Sequence, residues 1–280
     1  MMNIRSRETV RKILVYFFLS FIAFIVVVPF VWMVLTSLKT EAEAVANPPV
    51  VFPSSPRWLN YVDALTEAPF IRYLINTVIV AIIVVLVSTA VSIFAAYAFA
   101  WMEFPLKNAL FFLILASMMI PQEMLIITNF MTVANLGWIN TYKAIIIPYC
   151  VDVLGIFLLR QNMMQIPKDL FTASRIDGLG HFRFLRKVVL PMVKPSLLTS
   201  MILVVIRMWN VYAWPNLVTT KDELRLVSNG LANAFTTTTG QVQYELQMAA
   251  ATIVTIPLII LFLLLRKNIF SGMKMGGIKG

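Results

Sequence analysis

Six runs of roughly twenty mostly apolar residues, each closed by polar or charged text, leave this chain little choice of fold. Inside lipid every backbone N–H and C=O must find its partner within the protein, so such runs become helices. They read as 13–35, 72–101, 109–131, 142–164, 196–215 and 248–265. Hydrophobic residues make up 60% of the 280, and the mean hydropathy is +0.84. Soluble domains are only about half apolar. The expected fold is an all-α membrane protein of six transmembrane helices forming a single domain over 1–280.

The first run follows Arg5, Arg7, Arg11 and Lys12, a start shared with secretory signals. A signal's apolar core is only about 7–15 residues long, and the small-residue pattern Ala44-Val45-Ala46 lies too far downstream. The run is read as an uncleaved span that starts in the cytosol. Thr36 to Phe70 is polar and proline-rich, with a short helix expected around Trp58 to Leu65 on the outer side. Fifteen Lys and Arg then fall on the inner segments: Arg5, Arg7, Arg11, Lys12, Lys107, six in the loop 165–195, and Arg266, Lys267, Lys274 and Lys279. Six fall outside: Lys39, Arg57, Arg72, Lys143, Lys221 and Arg225. That asymmetry puts both termini in the cytosol. The net charge of +10 sits in short blocks beside apolar runs, which suits topology better than a nucleic-acid face.

The longest charged stretch, 165–195, reads QIPKDLFTASRIDGLGHFRFLRKVVLPMVKP. Two helical patterns flank Gly178 and Gly180. KDLFTASRID starts after Pro167, a residue suited to a first turn. HFRFLRKVVL places Phe182, Leu185 and Val189 at helical spacing, one face apolar and the other cationic. Pro191 and Pro195 are expected to end that pattern. A basic helix–turn–helix between spans suits docking to a cytosolic protein; an ordinary basic loop that only sets topology reads equally well from the residues.

The spacing of Ala173, Gly178 and, nine residues on, Val188-x-Leu190-Pro191 resembles the "EAA loop" of ABC importer permeases. IPKDLFTASRIDG is similar to the carbohydrate-uptake branch, although the family's glutamate falls on Thr172 and its second alanine on Ser174. NTVIVA at Asn76, AYAFAWMEFPLKN from Ala96, MMIPQE at Met118, NTYKAIIIP at Asn140, MWNVYAWPNLV at Met208 and the terminal GMKMGGIKG each resemble family text. The resemblance implies the shorter, six-span partner of a permease heterodimer in a prokaryotic plasma membrane. It further implies two ATPase subunits, which hold the ATP and Mg, and an extracytoplasmic solute-binding protein. No cofactor is implied on this chain. The loop 165–195 would then be a cytosolic coupling element, with Leu170, Phe171, Thr172, Ala173, Arg175, Asp177, Gly178, Phe182, Leu190 and Pro191 serving the contact. Oligosaccharide, monosaccharide and glycerol phosphate all satisfy the resemblance as solutes.

Within the spans, Asp152 and Arg207 each cost about 2.5–3.5 kcal/mol at mid-helix. They lie equally far in sequence from the tip of the loop, hence at similar depth, and the expectation is an ion pair. Separate partners, or charges reaching for the interface, are the competing account. Trp209, Asn210, Tyr212 and Trp214 follow; Asn210 lies about 20 Å above Ser196 on a helix. Aromatic faces and amides suit a sugar path, and an aromatic belt at the membrane surface fits the same residues. Pro121-Gln122-Glu123 gives a kink with two polar groups, so Gln122 and Glu123 join the candidate path. Cys150 and His181 are each the only residue of their kind, which excludes a disulfide framework and a zinc cluster, and His181 reads as a solvated loop histidine. There is no P-loop and no nucleophile–base spacing, so no catalytic or metal residue is assigned. The alternative function is a stand-alone proton-coupled transporter using Asp152, Glu123 and Arg207 as a relay.

Overall fold

The computed structural model describes residues 4–236 and 240–274, with side chains from 11 to 264 apart from 237–239. The described residues are helical apart from loops and one isolated bridge, Thr236 to Val242. In order the helices are α1 (Ile4–Ser37), α2 (Glu41–Ala44), α3 (Leu59–Thr66), α4 (Phe70–Trp101), α5 (Lys107–Ser117), α6 (Ile126–Asn135), α7 (Tyr142–Ile146), α8 (Val153–Met164) and α9 (Lys168–Ile176). They continue as α10 (His181–Asn210), α11 (Ala213–Val218), α12 (Val227–Ala234) and α13 (Tyr244–Lys274). Among the described residues, five stretches are long and apolar enough to cross a membrane, and a sixth is counted if α5 and the segment Gln122–Asn135 form one bent span. This is a multi-pass helical membrane protein.

Two compact units divide the chain: 1–70 with 231–256, and 71–230 with 257–280. In the first, the segment after α1 is tied down by side chains. Asn60 is buried and donates Nδ2 to the carbonyls of Ser37 (2.9 Å) and Lys39 (2.8 Å). Thr40 caps α2 in a reciprocal box with Glu43. The Glu43 carboxylate also accepts from the backbone N–H of Ser54 (2.9 Å) and from its hydroxyl. The Ser54 hydroxyl foremost, then the backbone N–H groups of Thr40 and Ser54, hold the Glu43 carboxyl down at about 2. The short helix expected near Trp58 to Leu65 is α3.

The second unit is built on α4. Its Ser88, Ser92 and Ala96 are buried and four residues apart, a stripe of small side chains that lets another helix come close. Gly155 of α8 uses that space: a Cβ there would stand 3.1 Å from Ser92 Oγ. Two apolar clusters hold the unit. One joins Val80, Val84, Ile145, Val204, Met208, Trp214 and Val218. The other joins Tyr97, Leu159, Met163, Phe184, Leu185 and Val189.

Three expected spans are interrupted, and the reasons are local. The third is not a kinked helix: α5 and the segment from Gln122 meet at 83°. Pro121, extended at ψ 128°, cannot continue the helix and donates nothing to it. The fourth is not continuous from 142 to 164. A tight turn over Ile147–Tyr149 contains Pro148, and α8 starts afresh after Asp152. The fifth neither starts at 196 nor runs through 215. Helix α10 begins at His181, passes Pro191 and Pro195, and stops at Asn210, where Val211 turns extended. Pro191 does not end the pattern because it stands at the start of the α segment that follows a π turn, Leu185–Val189, where a missing N–H costs least, and Pro195 is carried within that segment.

Candidate functional site

The three interruptions lie around one cavity of about 570 Å³ within the second unit. Ile120, Gln122 and Glu123 come from the first break, Pro148 and Tyr149 from the second, and Asn210, Val211 and Tyr212 from the third. Arg207, Asn129, Ser117 and Trp214 complete much of the wall. Backbone that leaves the helix at membrane depth is tolerated where it lines such a cavity or is buried in protein. Broken helices meeting at one place are the usual frame of a solute site in membrane transporters.

The structure places Gln122, Glu123, Asn210, Tyr212 and Trp214 of the expected path in this wall. Trp209 is not with them. It is buried in a second groove, an apolar one of about 380 Å³ lined by Val78, Val85, Val205, Pro257 and Leu261. One helical residue apart from Asn210 means a rotation of about 100°, enough to send the two side chains to different faces. Trp214 is largely structural: it is 6% exposed, and its indole N–H donates to the carbonyl of Ala144 at 2.8 Å. Asn210 is exposed, with Nδ2 on the carbonyl of Ile206 (2.8 Å).

Arg207 Nη1 lies 3.1 Å from Asp152 Oδ1, the pairing expected from their depth. Asp152 is not at mid-helix, however. It is the N-cap of α8, with Oδ2 accepting from Gly155 N–H at 3.0 Å and its carbonyl accepting from Ser92 Oγ. Its charge thus sits at the positive end of a helix and beside a guanidinium. Gly155 belongs to the same device, since a Cβ there would come within 2.5 Å of Asp152 Oδ2.

A second constellation forms at the other end of α4 and α10. Helix α9 ends on Asp177 with Gly178 in the left-handed region (φ +73°). Leu179 N–H bonds the carbonyl of Ser174 and Gly178 N–H that of Arg175, the paired closure of a Schellman turn. Phe171 and Ser174 face inward. Phe171 packs on Trp101 and Phe184, with ring centroids 5.4 and 5.1 Å away. Leu170, Thr172, Ala173, Arg175, Ile176 and Asp177 face outward. Of the expected contact set, Phe171 is therefore part of the seat beneath α9. Leu190 is half-buried and Pro191 exposed. Phe182 is off the buried face, 64% exposed, and Phe184 lines up with Val189 in its place. The π turn explains this, because it brings residues five apart onto one side.

Sequence reasoning missed three features. Asn129 and Tyr149 reach the cavity, yet each lies in mostly apolar text with no pattern to mark it. Asn76 is wholly buried; it donates to the carbonyls of Glu223 (2.8 Å) and Arg225 (2.9 Å) and accepts from Tyr142 Oη (2.7 Å), pinning a loop far off in sequence. His181 is not a solvated loop residue: Nδ1 is 2.8 Å from Tyr97 Oη and Nε2 2.8 Å from Arg175 Nη2. The tail beyond 274 lies outside the described residues.

Comparison with known proteins gives the arrangement a family. Residues 88–275 match the model for "Binding-protein-dependent transport system inner membrane component". The trehalose/maltose transport system permease protein MalG of Thermococcus litoralis is 34% identical over 277 residues, covering 98% of this chain and 99% of that one. The arabinooligosaccharides transport system permease protein AraQ of Halalkalibacterium halodurans is 32% identical over 93% of this chain and 94% of its own. Among solved structures, a bacterial ABC transporter involved in the import of the acidic polysaccharide alginate matches with TM-score 0.83, at 21% identity over 95% of this chain and 98% of that one, a likeness of fold. With cavity, broken helices and matched sequence in agreement, the chain belongs to the family of binding-protein-dependent transport system inner membrane components.

Proposed function

We propose that this chain is one of two permease subunits of an ATP-driven, binding-protein-dependent importer, and that it forms half of the pathway for a carbohydrate. The observation that carries this reading is the meeting of three helix breaks at one cavity walled by amides, hydroxyls and the aromatic rings of Tyr149, Tyr212 and Trp214. Sugars ask for such a wall: donors and acceptors for hydroxyls, and a ring face for their C–H patches. The charges favour a neutral solute. Arg207 is matched by Asp152, and Glu123 adds a carboxylate to the lining, which opposes a phosphate or uronate. Relatives named for trehalose/maltose and arabinooligosaccharides agree with that class, and the relative from Salmonella typhi named for sn-glycerol-3-phosphate, 32% identical over 77% of this chain, does not.

Helix α9 is the part that engages the ATPase. Its outward Leu170, Ala173 and Ile176 form an apolar strip bordered by charges of both signs, Lys168, Asp169, Arg175 and Asp177, suited to a cleft in a protein partner. ATP and Mg act in that partner; this chain makes and breaks no bond. Closure of the ATPase pair would move α9 as a rigid body, α8 and α10 would tilt with it, and the cavity would face first one side of the membrane and then the other. Both termini then lie in the cytosol, and an extracytoplasmic binding protein delivers the solute.

The test is reconstitution in liposomes. With a sister permease, ATPases and binding protein, uptake is expected to require ATP and survive a protonophore. Uptake by this chain alone, collapsed by the protonophore, would establish the proton-coupled alternative instead.

A further inference from the structure

The bridge at His181 has a chemistry that fixes the state of the ring. Arg175 carries only donors, so the Nε2 facing it at 2.8 Å must present a bare lone pair. A neutral imidazole with bare Nε2 carries its proton on Nδ1, and that proton points at Tyr97 Oη, 2.8 Å away. The reverse tautomer, and the doubly protonated ring, would each set an N–H against the guanidinium. The ring is also held by its faces and edges: Phe171 lies 5.7 Å from it and Tyr97 5.9 Å, centroid to centroid. Arg175 in turn lies over Phe171 at 5.1 Å.

The three bonded residues belong to three elements. Arg175 is in the last turn of α9, His181 is the first residue of α10, and Tyr97 is buried near the end of α4. Among the described residues, the charged or titratable groups that bond or ring-stack with the imidazole are Arg175 from α9 and Tyr97 from α4. Without the bridge, α9 would hang on the Schellman turn and on the inward faces of Phe171 and Ser174. Such a joint resists separation but permits rocking, because stacked rings slide more easily than hydrogen bonds bend.

We infer that His181 is a positioning residue: as the Nδ1–H tautomer it locks α9 to the ends of α4 and α10, so that a push on α9 reaches both long helices as one rigid displacement. The inference rests on the coupling role of α9 proposed above, and it extends that role to a residue and a protonation state.

Two measurements test it. His181 is the sole histidine, so 15N-histidine labelling of the full-length purified chain gives one pair of ring signals. A protonated Nδ1 and a bare Nε2 are expected, opposite to the tautomer that predominates for histidine in water. A proton on Nε2 would overturn the inference, with no variant needed. For transmission, spin labels go on Met102→Cys at the end of α4 and Asp169→Cys, an exposed position of α9 outside its apolar strip, in a Cys150→Ser background, with ATP added to the assembled transporter. The distance distribution is expected to stay narrow in the parent and to broaden roughly twofold in His181→Phe, which keeps a ring but loses both bonds. His181→Gln, with an acceptor and a donor, should bring the distribution back towards the parent's narrow width. Equal widths in His181→Phe and the parent, with and without ATP, would overturn the positioning role. Failure of Leu170→Cys to cross-link to the ATPase would instead remove the coupling reading of α9, and the ring signals would still report the bridge.

Discussion

Removing the charge at Asp152 should cost about 1 kcal/mol less than removing its side chain, a difference that can be worked from the geometry. Asp152 makes two separate interactions, Oδ2 to Gly155 N–H at 3.0 Å and Oδ1 to Arg207 Nη1 at 3.1 Å. Coulomb attraction near 4 Å at an effective dielectric of 20 is about 4 kcal/mol. The Arg207 side chain is 38% exposed, so solvent screening and desolvation leave roughly 1–2 kcal/mol for the pair. The helix cap contributes about 1 kcal/mol more. Asp152→Asn retains a cap acceptor and should lose about 1–2 kcal/mol; Asp152→Ala loses both and should fall by about 2–3 kcal/mol. Arg207→Met leaves a buried carboxylate that the cap still serves. The double variant Asp152→Asn/Arg207→Met should then be less destabilised than the sum of its parts by roughly 1–2 kcal/mol. Unfolding by SDS titration in mixed micelles reads these differences directly. Strict additivity across the cycle would show that the two charges are merely near each other, and Asp152→Asn matching Asp152→Ala would show that the cap contributes nothing.

Other expectations follow from single contacts. Asn76→Ala orphans Tyr142 Oη and two carbonyls in a buried place, which should cost about 2–4 kcal/mol and open the loop to trypsin at Lys221 and Arg225; unchanged cleavage would contradict the pinning. A Cβ at Gly178 meets nothing within 4 Å, so Gly178→Val strains only the left-handed backbone, by about 1–2 kcal/mol. ATP spent per solute imported should rise in that variant and stay near the parent's in Gly178→Asn, a residue that tolerates the conformation. Glu43 has its carboxyl lowered from 4.5 to about 2, so its contribution to the order of segment 40–54 is complete above pH 4.5 and is lost as the pH falls through about 2. Pepsin cleavage near Phe52 should therefore increase towards pH 2 in the parent relative to Glu43→Gln, which should be cut readily throughout; parallel profiles would discount the carboxylate.

What could be read in advance depended on the range of the physics involved. Apolar length is a sum over twenty residues, robust to single exceptions, and it located every long helix, with α4 (Phe70–Trp101) within two residues of the expected 72–101. The same averaging hid the interruptions. Pro148 sits among isoleucines, and a window that scores hydropathy cannot tell a proline that bends a helix from one that ends it. Asp152 was paired with the right partner and given the wrong place in its helix, because capping depends on where the helix restarts. The Phe182 error has one cause, a π turn of five residues that changes which side chains share a face. His181 was misjudged because its partners stand 6 and 84 residues away; only the second fold contact, to Tyr97, turns a loop residue into a bridge.

The placement of the interruptions also says how the two constellations work together on the proposed reading. Helix α10 runs unbroken for 30 residues from His181, beside α9, to Asn210, at the cavity. At 1.5 Å per residue that is about 45 Å. A rod of this length carries a displacement at one end to the other only if it resists bending, and α10 has one soft place, the π turn with Pro191 and Pro195 just beyond it. That place lies within the first half of the rod, where its Phe184, Leu185 and Val189 share a cluster with Ala96 and Tyr97 of α4 and Leu159 and Met163 of α8. The packing there braces what the backbone leaves weak. At the far end Arg207 is joined to the cap of α8, so a tilt of α10 moves the start of α8 with it and the cavity wall changes shape on two sides at once. A continuous fourth span would have held Asp152 inside its own ladder; the restart at Val153 is what lets one ion pair couple two helices at the level where solute would pass.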